Sequence, residues 1–81
     1  MTNDSDRYAL YLKDLVSLLI EKAREARTAR DSASADDRSL SNERLLAFHE
    51  VVSLMQQQAV AFEIRAEDLG LDGIDPERDL L

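Results

Sequence analysis

The sequence predicts an all-α protein, an antiparallel helical hairpin of residues 4–32 and 41–69 with an acidic C-terminal tail. Two observations predict this fold. Apolar residues repeat with heptad spacing in both halves of the chain, as they do in long amphipathic helices. A stretch without large apolar residues separates the two halves and provides the turn. We further expect two hairpins to dimerise into a four-helix bundle, because the apolar surface is wider than one hairpin can bury.

The first helix is predicted over residues 4–32, with Asn3 as its N-cap and Asp6 at the positive end of the helix dipole. Neither glycine nor proline interrupts this segment. Its apolar side chains follow a heptad pattern that only Lys22 breaks. The heptad positions are Tyr8, Leu12, Leu15, Leu19, Lys22, Ala26, Ala29 and Ala33.

The second helix is predicted over residues 41–69. Ser41 is its expected N-cap, since Leu40 and Leu45 are spaced to form a hydrophobic staple around it. Gly70 is expected in the left-handed conformation that ends a helix. Apolar residues fill every a and d position of four consecutive heptads. These positions are Leu45, Phe48, Val52, Met55, Ala59, Phe62, Ala66 and Leu69.

Residues 1–70 therefore form the predicted hairpin, and residues 71–81 form a tail that is either loosely ordered or docked on the hairpin. The end of the chain is strongly acidic, because residues 63–81 hold seven acidic side chains and two arginines. This stretch supplies most of the net charge of −7. Asp75 and Pro76 are suited to cap and open one short helical turn.

An antiparallel register that sets each a position level with a d position predicts which side chains meet inside the hairpin. It pairs Leu19 with Met55 and Leu15 with Ala59. Further apolar side chains flank this stripe on the first helix and are expected to contact a second copy. The predicted dimer interface consists of Tyr8, Tyr11, Leu12, Leu15, Val16, Leu18 and Leu19.

A second apolar row is predicted on the outer side of the second helix, and apolar residues are interspersed among the acids of the tail. Single apolar residues are common on surfaces, but a row along one face is typical of a contact site. We interpret these residues as contacts for a partner protein with a basic rim. Tolerated exposure and docking of the tail on the hairpin are the alternatives. The predicted partner-binding residues are Leu46, Leu54, Val60, Ile64, Leu71 and Ile74.

The chain lacks the residue patterns of catalysis and metal binding. It has no cysteine, and its single histidine, His49, has no second metal ligand at a recognised spacing. Two glycines are too few for a phosphate-binding loop. We therefore expect no enzyme activity, no cofactor and no metal. His49 is expected at the rim of the helix, with a pH-sensitive contact as the alternative. Lys22 is expected to extend its charge into water, with a register-setting contact as the alternative.

Composition narrows the class of partner. The acidic balance argues against general binding to nucleic acid and to anionic membranes. No apolar run approaches the ~20 residues of a membrane span, and the acidic N-terminus does not resemble a signal peptide, so we expect a cytoplasmic protein. The leading hypothesis is a small interaction protein, namely an adaptor, chaperone, antagonist or immunity-type inhibitor, that acts as a homodimer, with a basic protein as a further partner.

One alternative function comes from a basic face. Lys13, Arg24 and Arg27 lie close together on the outer side of the first helix. A helical bundle with such a face resembles Rop-like RNA-binding regulators of plasmids in architecture. The resemblance implies that these three side chains contact a phosphate backbone. A solvated surface is the competing interpretation.

Overall fold

The computed structural model describes residues 4–81 and confirms the all-α hairpin. Helix α1 (Asp4–Ser32) and helix α2 (Arg38–Ala61) pack against each other across a short connection, which makes them antiparallel neighbours. A 3-10 helix (Ala66–Leu69) and a single helical turn, α3 (Pro76–Asp79), follow. Residues 4–81 contain no strand. The predicted cap Asn3 lies outside the described residues.

Helix α1 has the bounds that its sequence predicts. It runs for 29 residues without glycine or proline, with Asp4 and Asp6 in its first turn and Arg30 in its last turn. These charges lie where the helix dipole favours them, negative at the N-terminus and positive at the C-terminus.

Helix α2 begins three residues earlier than predicted, so Ser41 is not its cap. Residues 34–37 form a turn in which the Asp37 N–H donates to the carbonyl oxygen of Ser34 at 3.1 Å. The Ser34 hydroxyl also bonds the carboxylate of Asp37 at 3.1 Å. The helix starts from this turn, and the N–H of Ser41 makes an ordinary helical bond to Asp37.

Helix α2 also ends earlier, at Ala61 rather than Leu69. Glu63 adopts the left-handed conformation with φ 58°, and the N–H of Ile64 bonds the carbonyl oxygen of Ala59 at 2.8 Å. This pattern is the Schellman motif, which usually contains glycine at the left-handed position. Because a glutamate stands there, the sequence carries no signal for this helix end.

The chain turns back after α2, and the tail, residues 71–81, packs along the hairpin. Gly70 has φ 73° and ends the 3-10 helix in the predicted left-handed conformation. Asp75 caps α3 by accepting a hydrogen bond from the N–H of Glu77, and Pro76 opens the turn, as predicted. The core therefore draws on both long helices and on the tail. It consists of Val16, Ile20, Ala23, Ala26, Leu45, Val52, Ala59, Leu71, Ile74 and Leu80.

The predicted inner row is buried or half-buried on α2 except at Phe62, which is 72% exposed, and the predicted inner row of α1 is wrong. Leu45, Val52 and Ala59 are buried as expected. On α1, however, Leu12 and Leu15 remain 45% and 37% exposed, and the buried side chains are mostly those one residue later in each turn. The helix is thus rotated by about 100° from the predicted orientation, the angle of one residue.

Candidate protein-binding surfaces

Two rows of exposed apolar side chains lie on the long helices. On each helix the exposed row comes one residue before the buried row: Leu15 precedes Val16, and Val51 precedes Val52. One residue corresponds to a rotation of about 100° about the helix axis. Because the two helices run in opposite directions, the same rotation brings both rows to the same side of the hairpin.

We call this side the bare face. On residues 4–81 it carries no covering segment, since the tail packs on the opposite side. The exposed apolar side chains that form it are Tyr8, Tyr11, Leu12, Leu15 and Leu18 from α1 and Val51, Leu54 and Phe62 from α2 and its C-cap.

The predicted dimer interface coincides largely with the α1 part of the bare face. Five of its residues are exposed and belong to this face, and Leu19 is half-buried at the seam with α2. Val16 is the exception, because it is only 5% exposed and packs in the core. The predicted dimer interface did not include Val51 or Phe62. The sequence predicted that Phe62 faces the first helix, as part of the inner stripe of the second helix.

The predicted partner-binding row does not form one surface. Leu46 and Val60 are exposed on the side of α2 where the tail lies, whereas Leu54 belongs to the bare face. Ile64 follows the end of α2 and so does not continue the helical row. Two further residues of this set, Leu71 and Ile74, are only 1% and 4% exposed. Their side chains pack in the core, which removes them from any exposed contact surface.

The side opposite the bare face holds the tail in what we call the tail groove, between α1 and α2. Side chains of the helices donate hydrogen bonds to main-chain carbonyl oxygens of the tail. Arg24 reaches Gly73 at 3.3 Å, and Gln56 reaches Ile74 at 3.0 Å. Arg27 bonds the carbonyl oxygens of Arg78 and Asp79 at 3.3 and 2.8 Å, and Arg30 bonds that of Leu81 at 2.9 Å.

Three arginines one helical turn apart thus form a row along the tail groove. Their positions, Arg24, Arg27 and Arg30, follow the spacing of three that keeps side chains on one helix face. This spacing is visible in the sequence, but it does not show whether the three side chains contact a docked segment or water.

Local ion pairs form within the tail and, separately, within α1. The hydrogen bond from Arg78 and the backbone N–H of Asp75 hold the pKa of the Asp79 carboxyl well below its usual value. On α1, hydrogen bonds from Arg30 and Arg27 likewise lower the pKa of Asp31. Both carboxylates orient an arginine that touches the tail or belongs to it.

His49 and Lys22 have different environments. The Nε2 atom of His49 lies 3.2 Å from a carboxylate oxygen of Glu77, so this histidine contacts the tail. Lys22 does not occupy a core layer: its side chain is exposed and pairs with Glu25 at 3.5 Å.

The basic face of the Rop-like hypothesis is partly occupied. Arg24 and Arg27 donate hydrogen bonds to the tail, whereas Lys13 is exposed and does not. A phosphate at this face would compete with the tail for the donors of both arginines. Retention of RNA or DNA at about 50 mM salt, abolished by the removal of Lys13, Arg24 and Arg27, is the test of this hypothesis.

Residues 4–81 contain no cluster of three or more histidine and acidic side chains placed to hold a metal ion. Within the same range, no helix is both long and apolar enough to cross a membrane. Residues 4–81 form a helical hairpin in which the tail covers one face and the bare face is left exposed. A comparison with known protein families, curated proteins and solved structures finds no significant match to this chain.

Proposed function

We propose that this protein is a non-catalytic protein-interaction module that pairs with a second copy through the bare face to form a four-helix bundle. The observation that carries the proposal is the two-helix apolar surface, to which both α1 and α2 contribute exposed large side chains. Such contiguous surfaces are typical of interaction sites, in contrast to single exposed apolar residues.

The exposed area supports this proposal. The chain exposes 5957 Å², whereas a compact monomer of its mass, 9.2 kDa, exposes about 4,900 Å². The surplus of about 1,000 Å² is close to the ~800 Å² that each partner buries in a stable protein interface. The radius of gyration, 14.7 Å, also exceeds the ~12 Å of a compact domain of this length. One copy of the chain thus retains the surface that a second copy would cover.

The charges on the bare face favour an antiparallel pairing of the two hairpins. Tyr8 and Tyr11 lie at its open end, and Lys22 and Arg44 lie in the same rows nearer the connection between the helices. An antiparallel arrangement places the tyrosines of one copy against the cations of the other. A cation over an aromatic ring contributes about 0.5–1 kcal/mol at exposed sites, and Arg44 already lies 5.8 Å from the ring centre of Phe48.

The bundle so formed keeps an acidic exterior, which suits a basic protein as its further partner. The net charge of −7 per chain doubles in the dimer and attracts cationic surfaces at low salt. An adaptor, chaperone, antagonist or immunity-type inhibitor in the cytoplasm fits this description, and the lack of cysteine agrees with a reducing compartment.

A pair of matched variants tests the bare face. Leu18 on the bare face and Leu46 on the side of the tail are 51% and 49% exposed, so a charge at either costs the single chain about equally little. Leu18→Glu is expected to give a monomer, because it buries a carboxylate in the interface, whereas Leu46→Glu is expected to remain a dimer. Size-exclusion chromatography with light scattering reads out both masses. Equal masses for the two variants would contradict the proposal.

A further inference from the structure

The hydrogen bonds from the helices to the occupant of the tail groove go to its main chain. Four side chains, Arg24, Arg27, Arg30 and Gln56, donate to five carbonyl oxygens of the tail. Every residue of any peptide carries a carbonyl oxygen, so these contacts do not depend on the side chains of the ligand. These hydrogen bonds by themselves do not select a peptide sequence.

Side-chain selectivity in the groove comes from apolar positions. Leu71, Ile74 and Leu80 are each at most 4% exposed and fill the space between α1 and α2. Their spacing is i, i+3 and i+9. Between these positions, the Asp79 carboxylate accepts hydrogen bonds from Arg78 and from the N–H of Asp75, and Glu77 lies beside His49. The arginine row adds positive charge along the same stretch of the tail. A peptide with this spacing and a negative charge fits the groove.

The tail does not fill the groove. A surface cleft of about 960 Å³ runs beside it, lined on α1 by Ile20, Glu21 and Glu25 among others and on the tail by Gly73. A Cβ atom built on Gly73 meets no atom within 4 Å, and this glycine does not need a positive φ. A ligand with a side chain at this position would gain contacts that the tail lacks.

We propose that the tail groove is a peptide-binding site for an acidic segment of another protein, and that the tail occupies the site until that segment displaces it. The segment carries apolar residues at i, i+3 and i+9 and a long basic side chain at i+2. This side chain lays its stem on Ile20 and brings its charge to Glu21 and Glu25. The tail of a second copy would leave the same cleft open, which favours a different protein as the source.

The arrangement explains how the tail can leave. It follows Gly70, whose left-handed conformation marks the turn before the docked segment, and it forms one helical turn of its own. A segment tethered by a short linker has an effective concentration in the millimolar range, so a free peptide competes poorly with it. Binding in trans is therefore visible once the docked tail is weakened.

The first experiment uses the full chain with Leu80→Asp, which places a charge at a fully buried position of the tail. Fluorescence anisotropy measures the binding of a labelled peptide with the sequence of residues 70–81. We expect the variant to bind this peptide at least about tenfold more tightly than the unaltered chain does. Adding Arg27→Ala should weaken the binding several-fold, because it removes two hydrogen bonds to the peptide. Arg38→Ala, at an exposed arginine outside the groove, should leave it unchanged.

Two altered peptides test the cleft. The peptide with Gly73→Lys is expected to bind about 1.4- to fivefold more tightly than the natural sequence, since exposed ion pairs contribute about 0.2–1 kcal/mol. The peptide with Gly73→Glu is expected to bind more weakly, because Glu21 and Glu25 repel it. Equal affinities for the two peptides would contradict the assignment of the cleft.

Hydrogen exchange of the unaltered chain keeps the proposal testable if Leu80→Asp lowers the helix content. The amides of Asp79 and Leu80 are expected to exchange faster than that of Val52 in α2, because the tail opens without unfolding the hairpin. Exchange of all three by global unfolding alone would overturn the proposal. The proposal would also be overturned if a helical Leu80→Asp chain bound no free peptide. If that chain formed a complex only with the intact chain, the groove would be assigned to tail exchange between copies. The bare face lies on the opposite side of the hairpin from the tail groove, so these outcomes do not test the proposed dimer.

Discussion

The bare face and the tail groove flank the same core, and on α1 different residue types border that core on the two sides. The residues one position after buried α1 residues include Ser17, Arg24 and Arg27, which are polar, and two of these hold the tail. The residues one position before are the apolar Leu15 and Leu19 in the first half of the helix and the charged Lys22 and Glu25 in the second half. The core row of α1 thus borders a polar row on one side and, over its first half, an apolar row on the other.

This difference indicates what each side can bind. A segment such as the tail, with little secondary structure, brings main-chain carbonyl oxygens that need donors, and the arginine row supplies them. A helix satisfies its own main chain and needs only apolar side chains opposite. The polar border therefore suits a peptide, whereas the apolar border of the bare face suits a second pair of helices.

The largest expected effects distinguish the tail groove from the bare face, because only variants of the bare face should change how stability depends on protein concentration. Leu80→Ala, in the tail, should lower the free energy of unfolding by about 2–5 kcal/mol at every protein concentration, because it leaves a cavity in the core. Leu18→Ala, on the bare face, should instead remove the concentration dependence of the melting temperature that a dimer shows. Circular dichroism melts of both variants at low and high concentration provide the measurement. A melting temperature of the unaltered chain that does not change with protein concentration would contradict the assignment of the bare face to a dimer interface.

A smaller effect is expected at the two left-handed residues that turn the chain toward the groove. Glu63→Gly should stabilise the fold by about 0.5–1 kcal/mol, since φ 58° strains a residue with a Cβ atom. Gly70→Ala should destabilise it by about 1 kcal/mol for the same reason, whereas Gly73→Ala, without a positive φ, should be neutral or stabilising. Urea unfolding measures all three. A stabilising Gly70→Ala would show that the turn before the tail is not strained.

The smallest expected effect is a pH dependence confined to the tail. The pKa of Asp79 is lowered in the folded chain, so its contribution to stability is complete above the unfolded value of about 3.9 and is lost as the pH falls below it. The tail should therefore loosen in acid before the bare face changes. NMR signals of the Leu80 amide report this between about pH 6 and pH 2.5. Asp79→Asn should reduce the dependence, and an unchanged dependence in this variant would assign it to another carboxylate.

Much of the hairpin could be predicted from the sequence. The uninterrupted run of helix formers defined α1, and the heptad stripe of α2 identified Leu45, Val52 and Ala59 as buried. Gly70 and the pair Asp75 and Pro76 marked local conformations that depend on neighbouring residues alone. Such local signals hold because backbone preference decides them.

The orientation of α1 could not be predicted in the same way. Its apolar residues cover more than one face, so both the heptad row through Leu15 and the row through Val16 offer apolar side chains to α2. In the folded chain the row through Val16 is buried, and this orientation lets Arg24 and Arg27 bond the tail. Periodicity within one helix does not report such a contact between distant parts of the chain.

The end of α2 and the site of the tail depend on the same long-range contacts. Apolar residues continue in heptad spacing through Ala66 and Leu69, which predicted a longer helix. In the folded chain these two residues pack against the core from the 3-10 helix. No glycine marks the turn at Glu63 in the sequence. The burial of Leu71 and Ile74 compensates for the strain of the left-handed conformation at Glu63.

Sedimentation equilibrium of the unaltered chain across a wide range of concentration tests the central claim most directly. The bare face predicts a species of twice the 9.2 kDa chain mass that dissociates on dilution. A single species of 9.2 kDa at every concentration would contradict it, because the apolar rows of α1 and α2 would then face water without a second copy.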